Sequence, residues 1–359
     1  MVTSPYRVAV IGLNHYHVTG WVESLAQFGD RVEIVARYDP DPARGRLPGP
    51  DHSDPHLAQQ FPDWFGELPF YSSLDDLIAG QRPDIALVTL PNALAPDAIE
   101  TLARAGIHML VDKPGARTAS EARQAFRTAH DARIKVAVGL TRRFGRAWQD
   151  AAAAIQTGRL GRLLTAEAIF VTSSVAVRDP ANVIFNRDLM GGGILPWLGI
   201  HDIDLLLWLG GEPIVEVQAM SGTTSGVPID VEDTISVAFR YARGALGTMH
   251  FAYALPRPAG DGYFALRGSE ASLRIDSGGG STWIGPGATH DPLITQISSY
   301  ESARAPGYGS AGSRIIEDLL LAIEENRDPL ATGEHIVKAL EVIDAVYEAA
   351  RTGVRVKLS

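Results

Sequence analysis

"YRVAVIGLNHYHVTGWVESL", residues 6 to 25, decides the fold. An apolar run ends at Gly12 and a helical pattern follows, the strand–turn–helix step of a dinucleotide-binding domain. The fingerprint G-x-G-x-x-G is incomplete, with Asn14 at the second glycine position and His17 at the third. Gly12 supplies the tight turn. Asparagine tolerates positive φ better than most side chains and adds an amide donor, so Asn14 can keep the turn. His17 is expected to widen the gap between helix and strand. Gly12, Asn14, His15 and Tyr16 are the candidate cofactor contacts of this loop. His15 and His17 form an H-x-H pair, but no carboxylate or third histidine stands at usable spacing, so no metal is expected.

Working outward, "VEIVARYD" (32–39), "DIALVTLP" (84–91), "IHMLVDKP" (107–114) and "IKVAVGL" (134–140) repeat the short apolar run. Near-continuous apolar strands read as a parallel sheet covered on both faces. Helical patterns lie between them at 17–28, 73–81, 96–105 and 118–132. Ser73 is an N-cap candidate, Gly80 a stop, and Pro96 a first-turn residue of a helix that ends at Gly106. Asp39 ends the second strand, where a carboxylate accepts both hydroxyls of an adenosine ribose and repels a 2′-phosphate. NAD is therefore favoured; nearby Arg37, Arg44 and Arg46 weaken that preference and leave NADP open. Residues 39 to about 69 read as a long Pro- and Asp-rich excursion.

After residue 141 the rhythm changes to a helix at 146–157, then strands near 163–173, 214–221, 232–240, 245–253, 262–268 and 271–275. Consecutive strands without intervening helices suit an antiparallel sheet. Helices at 313–326 and 333–352 follow. "SGGGSTW" (277–283) reads as a turn or loop, and 177–193 as an open loop. The fold class is α/β: an N-terminal Rossmann doubly wound parallel sheet over 1–140, and over 141–359 an α+β domain with a large, mainly antiparallel sheet.

The chain has 359 residues, 45% hydrophobic and 21% charged, with net charge −10 and no cysteine. That balance suits a globular protein with a sizeable core and argues against a general nucleic-acid binder. Disulfides and thiolate metal sites are excluded. With neither a signal-peptide pattern nor a long apolar run, the expectation is a cytoplasmic protein without a membrane partner.

Two further stretches carry a resemblance. "VTLPNALAPDAIETLARAGIHMLVDKP" (88–114) resembles the segment of the glucose–fructose oxidoreductase / inositol dehydrogenase / rhizopine-catabolism (Gfo/Idh/MocA) family that ends in Glu-Lys-Pro. "GGGILPWLGIHDIDLL" (191–206) resembles its G-G-G-x-x-x-D-x-G-x-H-x-x-D motif; "RRFGRAW", "GRLGRL" and "LRGSEASLRID" fit its second domain. The resemblance implies a Rossmann domain binding NAD(P) and a second domain that covers the nicotinamide and builds homo-oligomers, dimers or tetramers. It places Lys113 beside the substrate carbon and His201 facing it, with Pro91 and Asn92 on the nicotinamide side. Asp112 stands for the family glutamate, and Pro114 follows a cis bond. A histidine titrates near neutrality and a lysine can hold a developing alkoxide, which suits alcohol oxidation of a sugar, cyclitol or polyol.

The chain also departs from that pattern. The family aspartate four residues before the histidine is Trp197, on the same helical face as His201. Asp204 can partly replace it as an orienting acceptor, although the last acid of this motif is more often structural. Trp197 offers an apolar wall for a sugar ring or is simply packing. Ala95 stands where the family has a second histidine. Arg142 and Asn186 are further candidate substrate contacts. Three functions remain: a dehydrogenase, an NAD-assisted elimination, hydrolysis or epimerisation, and a catalytically silent ligand sensor.

Overall fold

The computed structural model describes residues 4–13, 15, 17–46, 61–257, 260–277, 279–288, 291–298 and 308–358. In chain order, β1 (Tyr6–Ile11), α1 (His17–Ala26), β2 (Val32–Tyr38), α2 (Asp63–Glu67), β3 (Phe70–Tyr71) and α3 (Leu74–Gln81) come first. They are followed by β4 (Ile85–Val88), α4 (Ala95–Arg104), β5 (His108–Val111), α5 (Ala119–Asp131) and β6 (Val136–Val138). The six strands form one sheet in the order β3-β2-β1-β4-β5-β6, every neighbour pair parallel. All four residues of β4 are buried, as the unbroken apolar run requires of a strand covered on both faces. The strand order reverses between β1 and β4, and the crevice outside their carboxyl ends is where such sheets bind ligands.

Local chemistry sets the helix boundaries. The Asp76 N–H donates to Ser73 Oγ (3.3 Å), capping α3 as expected. That helix runs past Gly80 and stops only where Arg82 turns left-handed, at φ 47°. In α4, Pro96 sits in the first turn and Gly106 beyond the end has φ 77°. Its inner face buries Ile99 and Leu102 completely, worth about 1.5–3 kcal/mol for each side chain.

A second group comprises α6 (Arg146–Gln156), β7 (Leu163–Val171), α7 (Arg187–Met190), α8 (Ile200–Gly210), β8 (Ile214–Gly222), β9 (Thr234–Tyr241) and β10 (Leu246–Ala252). The remainder are β11 (Asp261–Gly268), β12 (Ser272–Asp276), β13 (Gly280–Ala288), β14 (Asp291–Ser298), α9 (Gly309–Glu324), α10 (Gly333–Thr352) and β15 (Val356–Lys357). Nine strands form the sheet β14-β13-β12-β11-β7-β10-β9-β8-β15. Among the described residues of this sheet, β7 and β10 pair in parallel and the other neighbours antiparallel. Along β9, Ile235, Val237, Phe239 and Tyr241 are buried and alternate with less buried residues, the period-two signature of a sheet with one covered face.

Two expectations are corrected, and one strand pairing is added. Residues 280–283 open β13 instead of forming a turn, because "STWI" supplies residues that fit a pleated surface and pair with β12. The stretch 177–193 is not an open loop: it contains a 3-10 turn at Val183–Phe185 and α7. The short β15 adds to β8, a pairing that two residues cannot announce in sequence.

The contacts divide the chain into two compact units. One holds Met1–Thr141, Ala181–Gly191 and Ser302–Val337; the other holds Arg142–Pro180, Gly192–Glu301 and Lys338–Ser359. Among the described residues, no helix is long and apolar enough to cross a membrane.

Candidate functional site

In the first unit, Gly12 adopts φ 99°, and a Cβ there would meet Leu90 N at 2.6 Å and Thr89 C at 2.8 Å. Only glycine allows the turn after β1 to approach the chain after β4 this closely. The Leu13 N–H donates to Asp39 Oδ2 (2.8 Å) and the Asp41 N–H to Asp39 Oδ1 (3.0 Å). These bonds hold the carboxyl at the end of β2. Burial pushes its pKa up, with the two backbone donors pulling the other way. Asn14 and Tyr16 lie outside the described residues, as does the Arg46 side chain.

Arg37 does not act as a free cation near Asp39. Its guanidinium is buried and donates to Leu68 O (3.2 Å), Gly45 O (3.2 Å) and Gly66 O (2.7 Å). It fastens the excursion after β2. Arg44 lies 3.8 Å from Asp41.

At the carboxyl end of β5, Asp112 and Lys113 are both buried, and the bond from Lys113 to Pro114 is cis, as expected. Asp112 collects partners from far along the chain. His17 Nδ1–H donates to its Oδ2 (2.8 Å), and the Trp21 indole N–H donates to its Oδ1 (3.1 Å). His15 Nδ1 lies 3.8 Å from Oδ2 and accepts from the His17 N–H (3.3 Å). Burial alone would raise the Asp112 pKa. The charge and hydrogen bond of the His17 ring, with the charges of His15 and Lys113, together outweigh it and hold the carboxyl well below the ordinary carboxylate range. A Cβ at Gly139 would come within 3.2 Å of Asp112 Oδ1, so that glycine leaves room for the indole and the carboxylate to meet.

This cluster corrects one expectation. His15 and His17 do have a carboxylate beside them, and together with Asp112 they place three ligand-type atoms within 4.8 Å of one another. The acid comes from 95 residues away, so local spacing could not reveal it.

Asn92 is buried, and its side-chain N–H donates to Met190 O (2.8 Å). Pro91 O accepts from the Leu94 N–H (2.8 Å) and the Ala95 N–H (3.1 Å), opening α4. Asn186 is exposed and its Oδ1 accepts from the Leu189 N–H (3.0 Å). It serves as the N-cap of α7.

In the second unit, the glycines before α8 are sterically enforced. A Cβ on Gly192 would meet Tyr347 Oη at 2.0 Å, and one on Gly193 would meet Glu232 O at 1.9 Å. Glu232 is buried and accepts from the Gly193 N–H (3.0 Å), the Leu195 N–H (3.3 Å) and the Tyr347 O–H (2.7 Å). Burial raises its pKa despite these donors.

Leu195–Gly199 form a π-helical turn leading into α8. Pro196 falls in its first turn, where the missing N–H costs no helical bond, and π-helical turns recur at functional sites. Trp197 is only 4% exposed; the Arg178 guanidinium sits 4.8 Å over its ring and Tyr253 lies 5.6 Å away. The ring packs inside this unit and does not form an open wall for a sugar. His201, the second residue of α8, is partly exposed.

Two neighbouring arginines meet two acids of the D-x-D sequence. Arg143 clasps Asp204 through Nε–Oδ2 (2.7 Å) and Nη2–Oδ1 (2.7 Å), both side chains being 3% exposed. Burial raises the Asp204 pKa against the pull of Arg143. Asp204 is therefore committed to Arg143. Arg142 pairs with Asp202, whose Oδ2 has no hydrogen-bond partner among the described residues. This pair lines an open cavity of about 220 Å³ with Trp148, Phe170, Tyr263 and Asp276. The Arg142 guanidinium lies 5.2 Å over the Phe170 ring. Asp202 was not among the expected site residues. The R-R and D-x-D pairing was the available signal.

Residues 6–140 match the model of an oxidoreductase family with an NAD-binding Rossmann fold. Residues 148–274 match the GFO/IDH/MocA C-terminal domain. The chain is 28% identical over 297 residues to the inositol 2-dehydrogenase of Rhizobium meliloti, spanning 77% of this chain and 81% of that one. It is 24% identical over 313 residues to D-xylose 1-dehydrogenase (NADP(+)) 2 of Haloferax volcanii, spanning 85% and 90%. Among solved structures, the aldose-aldose oxidoreductase of Caulobacter crescentus superposes with a TM-score of 0.77 at 26% identity, covering 99% of this chain and 100% of that one. With both halves matched in order along most of its length, the chain belongs to the Gfo/Idh/MocA family.

Proposed function

We propose that the protein is an NAD(P)-dependent oxidoreductase interconverting a CH–OH group and a carbonyl on a sugar, cyclitol or related polyol. The observation that carries this reading is the Gly12 turn, which no side chain could occupy, beside an Asp39 carboxyl fixed by the backbone of that turn. These residues fit a dinucleotide: the turn lets backbone approach a pyrophosphate, and Asp39 suits a ribose diol. NAD is the preferred cofactor, because Asp39 disfavours a 2′-phosphate and Arg37 is committed to three carbonyls. When bound, the nicotinamide supplies the two-electron acceptor for the alcohol carbon.

The chain's own residues handle the oxygen and its proton. Lys113 is assigned to hold the developing alkoxide by charge and hydrogen bond, and His201 to take the hydroxyl proton. Arg142 and the aromatic lining of its cavity are assigned to substrate hydroxyls and C–H faces. The relatives named for inositol and xylose support this substrate class. The resemblance adds a homo-oligomer, dimer or tetramer; a cytoplasmic location is proposed from the sequence pattern alone.

The test is turnover with NAD across polyols, aldoses and their keto forms, in wild type and His201→Ala. Loss of at least about a hundredfold in kcat with unchanged folding is expected. Near-wild-type turnover would remove His201 from proton transfer. A second reading, a ligand sensor without catalysis, is favoured by the buried Trp197 and the committed Asp204, neither of which is placed to serve as a proton-relay carboxylate. NAD binding without turnover on the whole panel would select it.

A further inference from the structure

We infer that His15, His17 and Asp112 form a binding site for one divalent first-row transition-metal ion of the zinc class. One ring nitrogen of each histidine and one Asp112 oxygen all lie within 4.8 Å of one another, and Nδ1 is the nitrogen that each ring turns towards Asp112 Oδ2. Ligands about 2.0–2.2 Å from a tetrahedral ion stand roughly 3.3 Å apart. The contacts of 2.8 Å (His17 to Asp112) and 3.8 Å (His15 to Asp112) straddle that separation. A bound ion would take the place of the His17–Asp112 hydrogen bond and of the bond that His15 Nδ1 accepts from the His17 N–H.

Two imidazoles and a carboxylate suit zinc, cobalt, nickel or iron(II), and are too nitrogen-rich for calcium or magnesium. The three residues leave a fourth position for water or another ligand. The surroundings are those of a built site. The Trp21 indole N–H holds Asp112 Oδ1 (3.1 Å), fixing the carboxylate so that Oδ2 faces the imidazoles. His15 is 5% exposed and the His17 side chain 11%. Such burial limits competition from bulk water.

The position explains an oddity of the loop. At the third place of the glycine fingerprint a side chain is normally absent, yet His17 puts an imidazole there that reaches the end of β5. A bound ion would tie the segment before α1 to the strand end carrying Lys113. It would also add positive charge where the α1 N-terminus already favours anions. Among the described residues this is the one such convergence of histidine and acid, and the chain has no cysteine to compete.

The test uses the full chain stripped with a chelator and titrated with cobalt(II), then with zinc(II) as competitor. One saturating equivalent with visible d–d absorption is expected. Two hyperfine-shifted, exchangeable imidazole N–H resonances should appear, because Nδ1 ligation leaves each Nε2 protonated. His17→Ala and Asp112→Asn should each weaken binding at least about tenfold, since even outer partners of ligands contribute that much. Should those variants unfold, the wild-type resonance count decides alone. No saturable band, fewer than two shifted imidazoles, or unchanged affinity in folded variants overturns the site. A simple His17–Asp112 hydrogen bond would then account for the cluster. Binding is read without turnover, so its outcome is independent of the oxidoreductase reading.

Discussion

Each unit buries a carboxylate beside the segment that carries a candidate reacting group, but the two are partnered differently. Asp112, next to Lys113, is held by two imidazoles and an indole. Asp204, one helical turn beyond His201, is held by a bidentate guanidinium. Imidazoles gain or lose charge near neutrality, whereas a guanidinium is always charged and delivers two parallel donors in fixed geometry. The pair in the second unit is thus built as a permanent frame for α8. The cluster in the first is built from groups that can change protonation or ligation. Burial with an arginine leaves Asp204 above its ordinary pKa, while the rings and Lys113 take Asp112 below it.

The largest way to break this comparison is Arg143→Ala. Removing one partner of a fully buried pair leaves an uncompensated carboxylate and should cost about 3–5 kcal/mol in chemical denaturation. A loss below about 1 kcal/mol would mean that Asp204 is not held mainly by Arg143.

Next comes Asp112→Asn, measured with chelator present. It exchanges hydrogen bonds to a charged acceptor for weaker ones, and about 2 kcal/mol should be lost at neutral pH. A neutral or stabilising outcome would show the buried carboxylate to be a burden kept for another purpose.

Glu232→Gln sharpens the contrast through pH. The folded-state pKa of Glu232 is raised by burial, so the folded protein holds its proton more tightly than the unfolded chain. Wild type therefore loses stability as pH rises above the ordinary glutamate value, by at most about 1.4 kcal/mol per pH unit for one proton. The glutamine variant lacks that slope. Its melting temperature should gain on wild type between acid and neutral pH, and a constant difference would contradict the raised value.

The smallest effect is that of Asn186→Ala. Loss of the α7 N-cap should cost about 1 kcal/mol with KM unchanged. A large rise in KM at unchanged stability would return Asn186 to a substrate role.

The parallel sheet was legible because its strands are continuous apolar runs between well-capped helices, and no other packing suits such runs. Ser73, Pro96 and Gly106 could be read locally because each acts on its nearest neighbours. The same was not true of the polar sites. Nothing near His17 announces Asp112, and nothing near Arg37 shows that its charge is absorbed by carbonyls at 45, 66 and 68. Trp197 was readable as an oddity but not as a packed one, since its neighbours Arg178 and Tyr253 are distant in sequence. Periodicity reports a face; it does not report who stands opposite.

The Arg37 anchorage has a practical consequence for redesign. An engineer seeking to move this enzyme to a phosphorylated cofactor would be tempted to recruit the cation already two residues from Asp39. That cation works as a rivet for the neighbouring excursion, and pulling it out would release the carbonyls of Gly45, Gly66 and Leu68 at once. A new positive side chain grafted at an exposed position would be the safer route.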